Sequence, residues 1–154
     1  MKQLGYGVIG LGRISGRHIE AINRLEAGQL VAIADSNQEK AQAVAGEHPE
    51  QPAAYSSYED LLADGRVDVA VVLVPTHLHR DVSVAAMDSG RHVICEKAMA
   101  PSVRQCLDMI EARDRNHVKL MIGHSTRFQA AFLTARRMIE DGAIGQVLGV
   151  DAHF

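Results

Sequence analysis

Residues 4–28 read LGYGVIGLGRISGRHIEAINRLEAG: a short apolar run, a glycine turn, then an apolar stripe at helical spacing. Leu4, Tyr6, Val8 and Ile9 suit a buried strand. Ile14, His18, Ile22 and Leu25 then recur along one helix face, and Gly28 offers a helix stop. Two glycine patterns overlap in this stretch. Gly5, Gly7 and Gly10 match GxGxxG as a string, but they leave almost no strand before them and no helix directly after. Gly10 and Gly12 have the whole strand ahead of them and the helix behind, so the turn belongs there, with Ser15 where a third glycine would stand. A strand, glycine turn and helix in this order can offer backbone N–H groups to a phosphate, or can serve only to pack the helix against the strand.

A second apolar run, residues 30–34, ends in Asp35, roughly 20 residues past the turn, where dinucleotide-binding folds carry an acid. Such an acid accepts hydrogen bonds from the adenosine ribose hydroxyls and repels a 2′-phosphate, which favours NAD over NADP. Asp35 can also cap a helix beginning near Gln38, and the two roles are compatible.

Composition sets the outer bounds. The chain has 154 residues, 47% hydrophobic and 23% charged, with net charge −3, which suits a folded domain with one real core. No basic patch points to nucleic acid, and no apolar run nears the roughly 20 residues of a membrane span. The first strand begins within a few residues of Met1, which leaves no room for a signal peptide and leads us to expect a cytoplasmic protein. Cys95 and Cys106 fall on separate elements without metal spacing, so free thiols in a reducing compartment are expected. Pro49 and Pro52 mark residues 46–54 as the least ordered stretch.

Strand and helix alternate throughout. After Asp35 the pattern predicts a helix over 38–45, a short serine-capped helix over 57–62 and a doubly buried strand over 67–74. A helix over 78–89 follows, with Leu78, Val82, Ala85 and Ala86 inward and Gly90 as its stop. The strand 92–95 comes next, then a helix opened near Pro101 with the stripe Val103, Leu107 and Ile110, and a strand over 119–122. Phe128, Phe132, Ala135 and Ile139 mark a last helix, ended by Asp141 and Gly142, before a final strand from about Gln146 to Phe154. This alternation predicts an α/β doubly wound parallel sheet with ligands at the carboxyl ends of its strands.

That rule directs attention to the loops 10–14, 35–37, 74–79, 96–98 and 123–127, each rich in polar or glycine residues. His77 and His79 lack a third ligand cluster, so no metal is expected; either suits a helix start lining a pocket. Lys97 follows the strand 92–95 directly, beside Glu96. A lysine so placed can hold its ammonium against a substrate hydroxyl and polarise it for hydride loss, with the carboxylate orienting it. A plain surface ion pair has the same spacing.

GLGRISGRH, the Asp35 position, VPTHLHRDVSVAAMDSGRHVICEKAMA and the later STRFQ and IEDGAIGQV together resemble the glucose–fructose oxidoreductase, inositol dehydrogenase and rhizopine-catabolism (Gfo/Idh/MocA) family, over essentially the whole chain. The resemblance implies a Rossmann-type fold and an NAD(P)-dependent oxidoreductase acting on CH–OH groups of sugars, cyclitols or related polyols. Gly10, Gly12, Arg13 and Ile14 would meet the pyrophosphate, and Asp35 with Ser36 the adenosine ribose. Pro75, Thr76 and His79 would line the cofactor. Glu96 would lie by the nicotinamide ribose, Lys97 would be the catalytic lysine, and Arg127 would lie near the nicotinamide end. Three positions depart from the family pattern: Ser15 for the third glycine or alanine, Thr76 for a common asparagine, and Ala98 for the proline of the EKP motif, which leaves the backbone aiming Lys97 without its usual restraint.

The resemblance also implies two domains: residues 1–124 would bind the dinucleotide, and 125–154 would be the linking helix and first strand of a mostly absent α/β substrate domain. That domain would supply a histidine to work with the lysine, further on than His153. The expectation is a fragment that binds NAD with little turnover, from a homo-oligomer paired through the second domain's sheet. A non-catalytic NAD-binding or sensing module would keep Asp35 and the glycine turn without needing Lys97.

Overall fold

The computed structural model describes residues 3–151. The chain divides into two compact units, Met1–Gly123 and His124–Phe154. In the first, the elements run β1 (Leu4–Ile9), α1 (Ser15–Asn23), β2 (Gly28–Ala34), α2 (Gln38–Glu47), β3 (Ala53–Tyr55), α3 (Tyr58–Ala63), β4 (Val69–Val72), α4 (His79–Asp88), β5 (His92–Cys95), α5 (Val103–Arg115) and β6 (Leu120–Ile122). The six strands form one parallel sheet in the order β3-β2-β1-β4-β5-β6. The strand order reverses about β1, the doubly wound arrangement.

Both faces of the sheet are covered. Ile9, Ala70, Val72, Val93 and Cys95 face one core with Leu61 of α3, Val82 and Ala86 of α4, and Met109 and Ala112 of α5. Val8, Val71 and Leu73 face the other, with Ile22 of α1 and Ala41 and Ala45 of α2. All four residues of β4 are therefore buried, and its wholly apolar sequence, three valines and Ala70, follows from that. β2 departs from strict alternation. Tyr6 pairs with Leu30 but Gly7 with Ala32, so Val31 is an extra residue, and Leu30 and Ile33 share a core.

Gly5 and Gly7 are packing glycines inside β1. A Cβ on Gly5 would lie 1.9 Å from the Arg66 carbonyl oxygen, and one on Gly7 would lie 2.8 Å from Leu61 Cδ2. The GxGxxG string they open is thus a strand requirement, and the turn starts at Gly10. α2, α3 and α5 begin at side-chain acceptors: Asn37, Ser57 and Ser102 accept from the N–H of Lys40, Asp60 and Gln105. Gly90, at φ +82°, closes the end of α4 as expected.

Several expectations give way. α1 ends at Asn23, leaving Leu25 exposed, and Gly28 opens β2 rather than stopping a helix. The 46–54 stretch is shorter as a loop than expected: α2 runs to Glu47 and β3 begins at Ala53, paired with Ala32, which leaves 48–52 between them. Leu78 precedes α4 in a 3-10 turn and is exposed. Pro101 precedes the cap of α5, and Val103 and Leu107 are exposed, because that helix turns Met109 and Ala112 to the core instead.

The second unit holds a 3-10 turn, Ser125–Phe128, and α6 (Ala130–Glu140), followed by Gly142 at φ +71°. Residues 146–151 form no strand; an extended segment needs a neighbour to complete its ladder. The rest of that expected strand, with His153, lies outside the described residues. Among the described residues no helix is long and apolar enough to cross a membrane.

Candidate functional site

The pairing register brings the carboxyl ends of the strands into one row. Tyr55 pairs with Ala34, Ala34 with Ile9, Ile9 with Val72, Val72 with Cys95 and Cys95 with Ile122. The ladder runs one step further, the N–H of Gly10, Leu73, Glu96 and Gly123 donating to Ala34, Ile9, Val72 and Cys95 at 2.7–3.0 Å. The expected loops therefore leave the sheet side by side. Asp35 and Glu96 stand on opposite sides of β1, three strand spacings or about 14 Å apart.

A cleft of about 730 Å³ opens along the β2–β1–β4 part of this edge. Of the expected residues, Gly10, Gly12, Asp35, Ser36 and Pro75 line it. So do Lys40, the turn of Ser56, Ser57, Tyr58 and Glu59, and Asp81 of α4. The Ser56–Glu59 turn was missed because β3 was missed, although Ser57 was already legible as a cap. The Tyr58 phenol is pushed above its ordinary value, first by its hydrogen bond to Glu59, then by burial and the charges of Glu59 and Asp81. Three carboxylates against Lys40 make this end of the cleft acidic.

The two turn glycines are glycine for different reasons. Gly10 has φ +93°, and a Cβ there would lie 3.0 Å from the Leu73 carbonyl, so the protein itself demands glycine. Gly12 has no protein atom within 4 Å of where its Cβ would stand, and it lines the cleft. Among the described residues nothing requires its bareness, and the space beside it is open to the cleft. The N-cap of α1, Ile14, offers no side-chain acceptor, and the Ser15 and Arg17 N–H groups donate to the Gly12 and Ile14 carbonyls at 3.1 Å. Ser15 is buried, and its Oγ donates to the Gly12 carbonyl at 2.8 Å, fastening the turn from inside.

Asp35 holds the turn from the other side. Its Oδ2 accepts the Leu11 N–H at 2.8 Å and its Oδ1 the Asn37 N–H at 2.9 Å. Asn37, not Asp35, is the cap of α2. Each carboxylate oxygen has a second lone pair for a further donor.

At the end of β5 the Lys97 side chain is exposed. Glu96 does not pair with its ammonium as expected: Oε2 accepts the Lys97 backbone N–H at 3.0 Å, and Oε1 lies 3.1 Å from His18 Nε2. The Lys97–Ala98 peptide is cis. His79, expected to line the cofactor, is 1% exposed, with Nδ1 2.7 Å from the Ala98 carbonyl oxygen and Nε2 2.9 Å from that of Val74. It ties the loops after β4 and β5 together from within, since a ring buried there must spend its polar atoms on backbone. Arg13 is exposed, Ile14 packs against the second core, and Thr76 begins the 3-10 turn before α4; none of the three lines the cleft. Arg127 lies in the second unit, its guanidinium 5.9 Å from the Phe128 ring centroid. Cys95 is a buried free thiol, pushed up to about 11 by burial, and Cys106 is free and half-buried.

Residues 4–124 match the family model described as the GFO/IDH/MocA oxidoreductase family, NAD-binding Rossmann fold. An inositol 2-dehydrogenase of Salmonella typhimurium is 31% identical over 146 residues, which is 94% of this chain and 44% of that protein. A trans-1,2-dihydrobenzene-1,2-diol dehydrogenase of Xenopus laevis is 35% identical over 151 residues, 97% of this chain and 46% of that one. Among solved structures, the WlbA dehydrogenase of Bordetella pertussis, in complex with NADH and UDP-GlcNAcA, superposes with a TM-score of 0.88 at 33% identity, covering 94% of this chain and 44% of that chain. The chain thus spans less than half the length of these relatives.

Proposed function

The chain belongs to the Gfo/Idh/MocA oxidoreductase family with its NAD-binding Rossmann fold, and on that premise we propose that it is the cofactor half of a dehydrogenase acting on CH–OH groups of a sugar, cyclitol or related polyol. In this reading residues 1–124 are the dinucleotide domain and 125–154 lead into a substrate domain. One observation carries it: Gly12, Asp35 and Lys97 follow the aligned strand ends Ile9, Ala34 and Cys95, and Gly12 is bare toward the cleft although no described protein atom needs the space.

The residues fit a dinucleotide. Gly10 and Gly12 shape the turn, and the N-terminus of α1, which no side chain caps, would meet a pyrophosphate with the positive end of the helix. Asp35 accepts from the adenosine ribose hydroxyls on its free lone pairs, and with Glu59 and Asp81 it disfavours the extra charge of a 2′-phosphate. Bound NAD supplies the hydride acceptor. Lys97 would hydrogen-bond the substrate hydroxyl oxygen through Nζ and stabilise the negative charge that develops there, while the hydroxyl proton passes to a histidine of the substrate domain and the hydride to the cofactor. Glu96 holds the main chain beside it.

Turnover of polyols with NAD, followed by NADH absorbance on a chain carrying both domains, tests this reading. Lys97→Ala is expected to lower kcat by about 100-fold or more while leaving NAD affinity nearly unchanged. The 154 residues alone are expected to bind cofactor with little turnover. A fully active Lys97→Ala enzyme, or saturable polyol oxidation by these residues alone, would contradict it.

A further inference from the structure

The His18–Glu96 contact joins residues 78 apart in sequence, from α1 and from the end of β5. The two side chains are 23% and 17% exposed, so the contact is largely shielded from water. A carboxylate only accepts, so the His18 Nε2–H donates to Oε1, and the second oxygen takes the Lys97 N–H. The space for this carboxylate is kept open by a glycine: a Cβ on Gly123 would come within 3.1 Å of Oε1. His18, the Lys97 N–H and the bare Gly123 thus all meet one orientation of the Glu96 side chain.

We propose that His18 is a positioning residue: it fixes the Glu96 carboxylate so that the helix following the glycine turn and the main chain of Lys97 move as one piece. The proposal rests on the dinucleotide reading, in which the adenosine lies on the Asp35 side of β1 and the nicotinamide half on the Glu96 side. His18 then serves the nicotinamide half alone, although it sits on the helix that faces the pyrophosphate.

Binding of NADH and of ADP, which lacks the nicotinamide half, separates this from a structural role. His18→Ala is expected to weaken NADH by about 10-fold, the loss of one charge-assisted hydrogen bond, and to leave ADP within about 2-fold. His18→Gln, whose amide nitrogen can donate to the same oxygen, should restore NADH binding. In the free protein, hydrogen exchange of the Lys97 amide should quicken in His18→Ala and recover in His18→Gln, with core amides of β4 unchanged. Equal weakening of both ligands, or no change in either, would overturn the proposal. If the wild-type chain bound neither ligand, the dinucleotide reading would fail, and unaltered Lys97 exchange would then overturn the positioning role separately.

Discussion

The Asp35 carboxylate accepts the Leu11 backbone N–H at 2.8 Å, so the acid at the end of β2 is bonded to the glycine turn at the end of β1. In the free protein Asp35 is already a structural part of the turn, and its second oxygen holds Asn37. Asp35→Ala should therefore lose both turn order and ligand: about 1–3 kcal/mol of stability for the two orphaned N–H groups, and about 10-fold or more in NAD affinity. Asp35→Asn keeps one oxygen and should retain more of the stability than of the NAD preference. Thermal unfolding beside nucleotide titration checks this, and an Asp35→Ala chain of unchanged stability would contradict it.

Gly10 and Gly12 should separate cleanly. Gly10→Ala forces a Cβ against the Leu73 backbone at φ +93° and should cost about 1–3 kcal/mol. Gly12→Ala meets nothing in the protein and should fold with stability within about 0.5 kcal/mol of the parent, while NAD affinity falls sharply. Equal NAD affinity in Gly12→Ala would remove the cleft's best ligand signal.

Gly5 tests the other register of the glycine pattern. A Cβ 1.9 Å from the Arg66 carbonyl oxygen cannot be accommodated without moving β1 from the 64–67 turn, so Gly5→Ala should destabilise by about 3 kcal/mol or more. Chemical denaturation measures this directly; a variant as stable as the parent would mean that Gly5 belongs to no packed strand.

Acid stability should depend on Asp64. The Arg66 guanidinium bonded to it, opposed by burial and assisted by the Arg66 N–H and the Tyr55 hydroxyl, takes its carboxyl from 3.8 down to about 2. A carboxyl lower in the folded than in the unfolded state stabilises fully above about pH 4, and that contribution is lost as pH falls through about 2. The Arg66 side chain is 59% exposed, which limits the gain to about 1 kcal/mol. Arg66→Gln should lower Tm by about 3 °C near pH 6 and converge with the parent near pH 2. Curves that stay parallel across this range would contradict the assignment.

What was legible in the sequence was whatever one element declares by itself. The β4 run is buried on both faces and reads so from its composition, and the Ser57 cap announces α3. β3 is three residues, Ala-Ala-Tyr after a proline, with no periodicity; it is a strand only because β2 pairs with it, and with it went the Ser56–Glu59 wall of the cleft. The α5 stripe failed because apolar residues stand on more than one side of that helix, and the choice of Met109 and Ala112 is made by what it packs against. Gly10, Gly12 and Asp35 were found because a short chain segment fixes their geometry. His18 was read as part of an apolar face, since its partner is 78 residues away and no local pattern links them.

In this reading the row of strand ends is an NAD site with an acidic adenosine end. Calorimetric titration of the 154-residue chain with NAD and with NADP tests it most directly. Saturable one-to-one binding of NAD is expected, with NADP weaker by about 10-fold or more from the repulsion between its 2′-phosphate and Asp35. No heat with either nucleotide, or NADP bound as tightly as NAD, would contradict it.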